Sequence, residues 1–141
     1  MTSLHITTQE NYDAAVKSGA FETATSVWLN NLPGVTVLPA LPAATDVRLD
    51  NLPGVTALPA LPAAAYVEIN NLPGVTVLPE MTAAAYVVLY NLPGVTALPA
   101  LPAASFVGIN NLPGVTVLPE MTAAAWVWLD KHLRSIKNAT K

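Results

Sequence analysis

Few residues in this chain have side chains suited to catalysis. Its two histidines, His5 and His132, stand near opposite ends of a 141-residue sequence that has no cysteine. A thiol nucleophile, a thiolate metal site and a disulfide framework are therefore excluded. Histidines so far apart give no reason to expect a histidine-based centre. Asp46 and Asp50 are four residues apart with Arg48 between them, a spacing that puts all three on one face of a strand. This reads as a surface charge cluster, the alternative being a weak calcium site completed by Glu68. No phosphate-binding glycine pattern occurs. Threonines recur at 36, 56, 76, 96 and 116. A single column bordered by prolines is a poor ice-binding surface. No enzyme activity, cofactor or metal is expected.

Recognition is better provided for. Three columns of residues, each advancing by 20 positions, hold seven of the nine aromatic residues and all three tryptophans. The first is Ser26, Asp46, Tyr66, Tyr86, Phe106, Trp126. The second is Trp28, Arg48, Glu68, Val88, Gly108, Trp128, and the third is Asn30, Asp50, Asn70, Tyr90, Asn110, Asp130. Tyr, Trp and Arg dominate interface hot spots. The aromatic types among them present large contact areas with few torsions to freeze. The candidate ligand-binding set is Trp28, Asp46, Arg48, Asp50, Tyr66, Glu68, Asn70, Tyr86, Val88, Tyr90, Phe106, Asn110, Trp126, Trp128 and Asp130. The competing explanation is a ladder of strand-forming aromatics stabilised by cross-strand stacking, which covers the first column but not the mixture in the second.

An internal repeat must position these columns. Five 20-residue units begin at Asn31, Asn51, Asn71, Asn91 and Asn111, each opening Asn-Leu-Pro-Gly-Val-Thr. A period this short is read as a solenoid coil with one strand and a compact return. Val67 and Ile69 alternate with Tyr66, Glu68 and Asn70, the period-two mark of a strand buried on one face. The return, from Leu52 to Ala63, has an apolar residue at every third position and frequent proline. This predicts polyproline or short 3₁₀ segments rather than a helix. Gly54 and its equivalents are expected to permit a turn or a close backbone approach. Asn51 and its equivalents are expected to form a stacked amide ladder.

The repeat also accounts for the composition. The chain is 52% apolar with 11% charge and a mean hydropathy of +0.45. Residues 81–119 contain no charge at all. Thirteen prolines, all inside the repeats, exclude a spanning helix, and stacked coils supply the shared core that the apolar residues need. The N-terminus shows no signal-peptide pattern, so a cytoplasmic location, or export without a signal peptide, is expected. The segment sequence predicts three parts: an N-terminal cap over residues 1–30, the repeats over 31–130, and a basic C-terminal cap over 131–141. In the first, residues 3–7 form a rung. A helix over 9–18 then starts at a Thr7 or Thr8 cap and stops at Gly19, burying Tyr12, Ala15 and Val16. In the last, Leu133 and Ile136 share a helical face. Its charge of +4 is too short a run for a nucleic-acid footprint.

The units resemble leucine-rich repeats, most closely the short proline-containing class of secreted bacterial effectors of the YopM and IpaH type. The residues that carry this are Leu38-Pro39-Ala40-Leu41-Pro42, Leu58-Pro59-Ala60-Leu61-Pro62 and Leu98-Pro99-Ala100-Leu101-Pro102, each followed by a strand. The third and fifth units depart at Leu78-Pro79-Glu80-Met81-Thr82 and Leu118-Pro119-Glu120-Met121-Thr122, and the family's strand asparagine falls one place early. The resemblance covers about residues 26–130 and implies a leucine-rich-repeat-like solenoid. Such a fold has a curved parallel β-sheet on one face, a polyproline and turn return on the other and helical caps at both ends. It also implies a concave face that binds proteins. The layout is similar to that of the variable lymphocyte receptors of jawless fish.

Comparison between units gives the functional expectation. The third and fifth units differ only at Tyr86/Trp126, Val88/Trp128 and Tyr90/Asp130, and the second and fourth only at Ala65/Ser105, Tyr66/Phe106 and Glu68/Gly108. The framework is constant while the outward strand positions change. A non-enzymatic module recognising a protein is expected, with a glycan-binding module or a structural adhesin solenoid as alternatives. Neither nucleic-acid binding nor membrane insertion is expected.

Overall fold

The computed structural model describes residues 3–119 and 126–129. Its strands are β1 (Ser3–Ile6), β2 (Ser26–Asn30), β3 (Asp46–Asp50), β4 (Tyr66–Asn70), β5 (Tyr86–Tyr90), β6 (Phe106–Asn110) and β7 (Trp126–Leu129). They form one seven-stranded sheet in sequence order, with every pairing parallel. The register advances by 20 residues between repeat strands, so Val47 pairs with Val67 and Leu49 with Ile69. Inward residues at the second and fourth strand positions are buried from β2 to β6, the alternation that the sequence predicts. The helical C-terminal cap lies outside the described residues. Among those described, no helix is long and apolar enough to cross a membrane.

Successive parallel strands require a crossover, and between β2 and β6 the crossovers contain no helix. In the second unit, the Val55 N–H donates to the Leu52 carbonyl and the Ala64 N–H to the Leu61 carbonyl. Each closes a turn with proline, Pro53 or Pro62, at its second position, where the fixed proline φ is already suitable. The return therefore contains two β-turns, and the chain between them is neither helix nor strand. The threefold apolar spacing nevertheless points inward. Leu52, Val55, Leu61 and Ala64 are buried, and Leu58 packs partly buried against them. All coils contribute to one apolar core, and no polar residue is buried among those described.

Two residue types set how the coils stack. At the strand ends, Asn31, Asn51, Asn71, Asn91 and Asn111 all adopt left-handed backbone, with φ between 58° and 63°. Asparagine tolerates this conformation better than other residues with a side chain. Its backbone still extends the sheet ladder, as in Asn51 N–H to Asn70 O. The predicted amide ladder is present with one interruption. Asn51 donates to Asn31, Asn91 to Asn71 and Asn111 to Asn91, but Asn71 turns aside to Asp50. Among the described glycines only Gly19 has positive φ. Gly54, Gly74, Gly94 and Gly114 serve close approach instead, since a Cβ on any of them would stand 2.8 Å from a carbonyl oxygen of the preceding coil.

The N-terminal cap forms α1 (Gln9–Ser18) and α2 (Ala20–Thr23). Thr8 is the N-cap, accepting from the Asn11 N–H, and Gly19 ends α1 in left-handed conformation. Tyr12 and Ala15 are buried, but Val16 is 48% exposed. The short α2 brings Phe21 beneath the cap and against Tyr12, with ring centroids 5.6 Å apart, leaving Val16 without a place in the core. The Tyr12 hydroxyl donates to the Val37 carbonyl at 2.7 Å. Burial, reinforced by Asp13, raises its pKa above the ordinary 10.0. The folded chain thus keeps this proton at pH values where the unfolded chain has lost it. Stability is full below the ordinary tyrosine value and falls as pH rises towards the raised one. Urea midpoints should drop as pH rises above the ordinary tyrosine value of about 10, and Tyr12→Phe should reduce that drop. An unchanged slope in the variant would refute the assignment.

Candidate functional site

The outward side chains of the strands line up in the three columns read from the sequence, with Ser26, Asp46, Tyr66, Tyr86, Phe106 and Trp126 in register. The second column runs His5, Trp28, Arg48, Glu68, Val88, Gly108, Trp128, so the first strand adds His5 to the face. The third holds Asn30, Asp50, Asn70, Tyr90 and Asn110. Asp130 lies outside the described residues.

In the first column, Tyr66, Tyr86 and Phe106 stack with ring centroids 4.6 and 4.5 Å apart and planes within 8° of parallel. These separations are close to the ordinary distance between neighbouring strands, so ring faces meet each other and edges are turned outward. The structural-ladder explanation holds for these three rings. Arg48 continues the stack. Its guanidinium lies 4.5 Å from the Tyr66 ring centroid and 4.2 Å from that of Trp28. Nε and Nη2 donate to Asp46 at 3.1 and 3.4 Å. This hydrogen bond is the main reason the Arg48 pKa is raised. His5 meets Trp28 edge-on, with centroids 5.1 Å apart.

The rest of the face divides into two halves. One is a polar pocket of about 170 Å³ lined by Trp28, Arg48, Asp50, Glu68 and Asn70, with His5 at its rim. Glu68 accepts from the Tyr66 hydroxyl at 3.3 Å and from Asn70 Nδ2 at 3.2 Å. Burial first, and the Glu68 carboxylate second, raise the Tyr66 pKa. Two buried polar atoms here lack a partner, the Trp28 indole Nε1 and the Asn70 Oδ1. The other half is an apolar socket of about 340 Å³ lined by Tyr86, Val88, Tyr90, Phe106, Gly108 and Trp128, with Asn70 and Asn110 at its border. Tyr90 and Trp128 are 43% and 47% exposed and Trp126 is 62% exposed. Large apolar side chains in such positions mark an interaction surface.

Of the candidate set, Trp28, Arg48, Asp50, Glu68 and Asn70 gather in the first pocket, and Tyr86, Val88, Tyr90, Phe106, Asn110 and Trp128 join Asn70 in the second. Asp46 is held by Arg48, Tyr66 belongs to the ring stack, and Trp126 stands outside both pockets. Sequence reasoning did not select His5 or Gly108 as site residues. Gly108 had a signal, as the one residue without a side chain in a column of large ones. The calcium alternative is not supported by the geometry. Among the described residues no three acidic or histidine groups converge to hold a metal.

The fold and face together define a parallel-sheet repeat protein with an aromatic and acidic strand surface. No family model, curated protein or solved structure matches the chain.

Proposed function

We propose that the chain is a leucine-rich-repeat-like, non-enzymatic module that binds a protein partner through the outward face of its sheet. One observation carries this reading: between near-identical units, the side chains that change are concentrated on that face. The third and fifth units exchange Tyr86, Val88 and Tyr90 for Trp126, Trp128 and Asp130 while keeping all their other residues. Stability alone does not require such substitutions, because the inward residues that fill the core are the ones held constant. A glycan ligand is the second reading, favoured by the exposed rings of Tyr90 and Trp128.

Tyr90→Ala and Trp128→Ala should each weaken capture of the physiological partner by about tenfold, as expected for large anchors at an interface. Thermal unfolding should stay close to wild type, since both side chains stand outside the core. Titration calorimetry with the partner purified from the source organism checks the first point, and circular dichroism the second. Undiminished affinity in both variants would place the binding surface elsewhere.

A further inference from the structure

The geometry points to a peptide in extended conformation as the ligand of the strand face, carrying a basic residue and an apolar residue three positions apart. This deepens the protein-binding reading above and rests on it. The basic residue is identified by charge. Arg48 already pairs with Asp46 at 3.1 Å, while Asp50 and Glu68, in the same pocket, form no salt bridge among the described residues. Their carboxylates are bonded only to neutral donors, Asn71 for Asp50 and Tyr66 and Asn70 for Glu68. The Asn70 Oδ1 beside them is buried and accepts from nothing. A lysine or arginine supplies the positive charge and charge-assisted hydrogen bonds to the two carboxylates. An anionic ligand would face two carboxylates.

The apolar residue is identified by a vacancy in the second column. Trp128 and Val88 flank Gly108, whose missing side chain leaves the socket between them. The glycine is not required by the backbone: its φ is not positive, and a Cβ there meets only the Phe106 ring, at 3.4 Å. Other rungs hold Trp28, Arg48, Glu68 and Val88 at this position. Gly108 lies two strands from Glu68, and two strand spacings come to about 9.6 Å. A peptide crossing the strands in polyproline form advances about 9.3 Å in three residues and returns its side chain to the same side. The stacked rings of Tyr66, Tyr86 and Phe106 run alongside with their edges outward.

The test is selection of short random peptides on the immobilised chain, followed by fluorescence polarisation with the enriched sequences. The expected consensus has Lys or Arg three positions from an aromatic or large aliphatic residue, in either chain direction. Moving the two closer or further apart by one residue should cost about tenfold in Kd. Gly108→Val, which fills the socket, and Glu68→Gln, which removes a charge without touching the socket, should each weaken binding by about tenfold, with the melting temperature measured alongside. A consensus without a basic residue, indifference to spacing, or full affinity in Glu68→Gln overturns this inference alone, provided that Tyr90→Ala still weakens binding. Peptides insensitive to both Tyr90→Ala and Trp28→Ala would overturn the binding-face reading as well. Failure to enrich any peptide, with glycan-array binding lost in Trp128→Ala, would overturn the peptide and give the face to a sugar.

Discussion

Alanine in place of Gly94 should destabilise the fold by about 3 kcal/mol, at the upper end of ordinary overpacking costs. Its Cβ would sit 2.8 Å from the Val75 carbonyl oxygen and 3.3 Å from that of Pro73. Both are backbone atoms of the preceding coil, which cannot rotate away as a side chain can. Relief requires the two coils to separate, and Leu92 and Val95, on either side of the glycine, are wholly buried between neighbours. Gly34 provides the control. It occupies the same place in the first unit, where the neighbour is the side chain of Gln9, its Oε1 2.7 Å from the added Cβ. A flexible side chain can move, so Gly34→Ala should change stability by less than about 0.5 kcal/mol. Urea unfolding of the two variants makes the comparison. Because repeat arrays are held by nearest-neighbour contacts, the Gly94→Ala transition should also broaden. Equal losses at both positions would refute the close-approach account.

Asn91→Ala should cost a similar amount, about 3 kcal/mol, for different reasons. The residue has φ 59°, a conformation that costs a Cβ-bearing residue roughly 1–2 kcal/mol and that asparagine tolerates better than alanine. It also donates to Asn71 and accepts from Asn111 Nδ2 at 2.8 Å, and each such bond contributes about 1 kcal/mol. Glycine at the same position restores the backbone freedom but not the bonds, so Asn91→Gly should lose only about half as much. Asn51 is the internal comparison, since it donates to Asn31 while Asn71 bonds to Asp50 in its stead. Asn51→Ala should therefore fall short of Asn91→Ala by about one hydrogen bond. Matching losses for the alanine and glycine variants of Asn91 would show that the left-handed backbone is not the cause.

The strands, their register and the first helix were legible in the sequence because each follows from local periodicity. Val67 and Ile69 face inward since a strand alternates, and the next coil copies them after 20 residues. Thr8 and Gly19 bound α1 through contacts within a few residues of themselves. Val16 was misplaced because its exposure depends on Phe21, which a separate short helix carries into the core. The turns of the return were partly legible, since proline announces a turn without saying where the next one closes.

The sequence alone determined which side chains share a face and in what order, because a 20-residue repeat in register carries each column from strand to strand. It also set the excess charge near Asp50 and Glu68 and the gap at Gly108. Only the tertiary structure decided what those neighbours do to one another. The separation between coils makes Tyr66, Tyr86 and Phe106 close-packed partners, turns the repeat glycines into contact points, and leaves Asn70 Oδ1 without a donor. These are properties of distances between segments far apart in the chain, fixed by side-chain torsions and packing that no local pattern encodes.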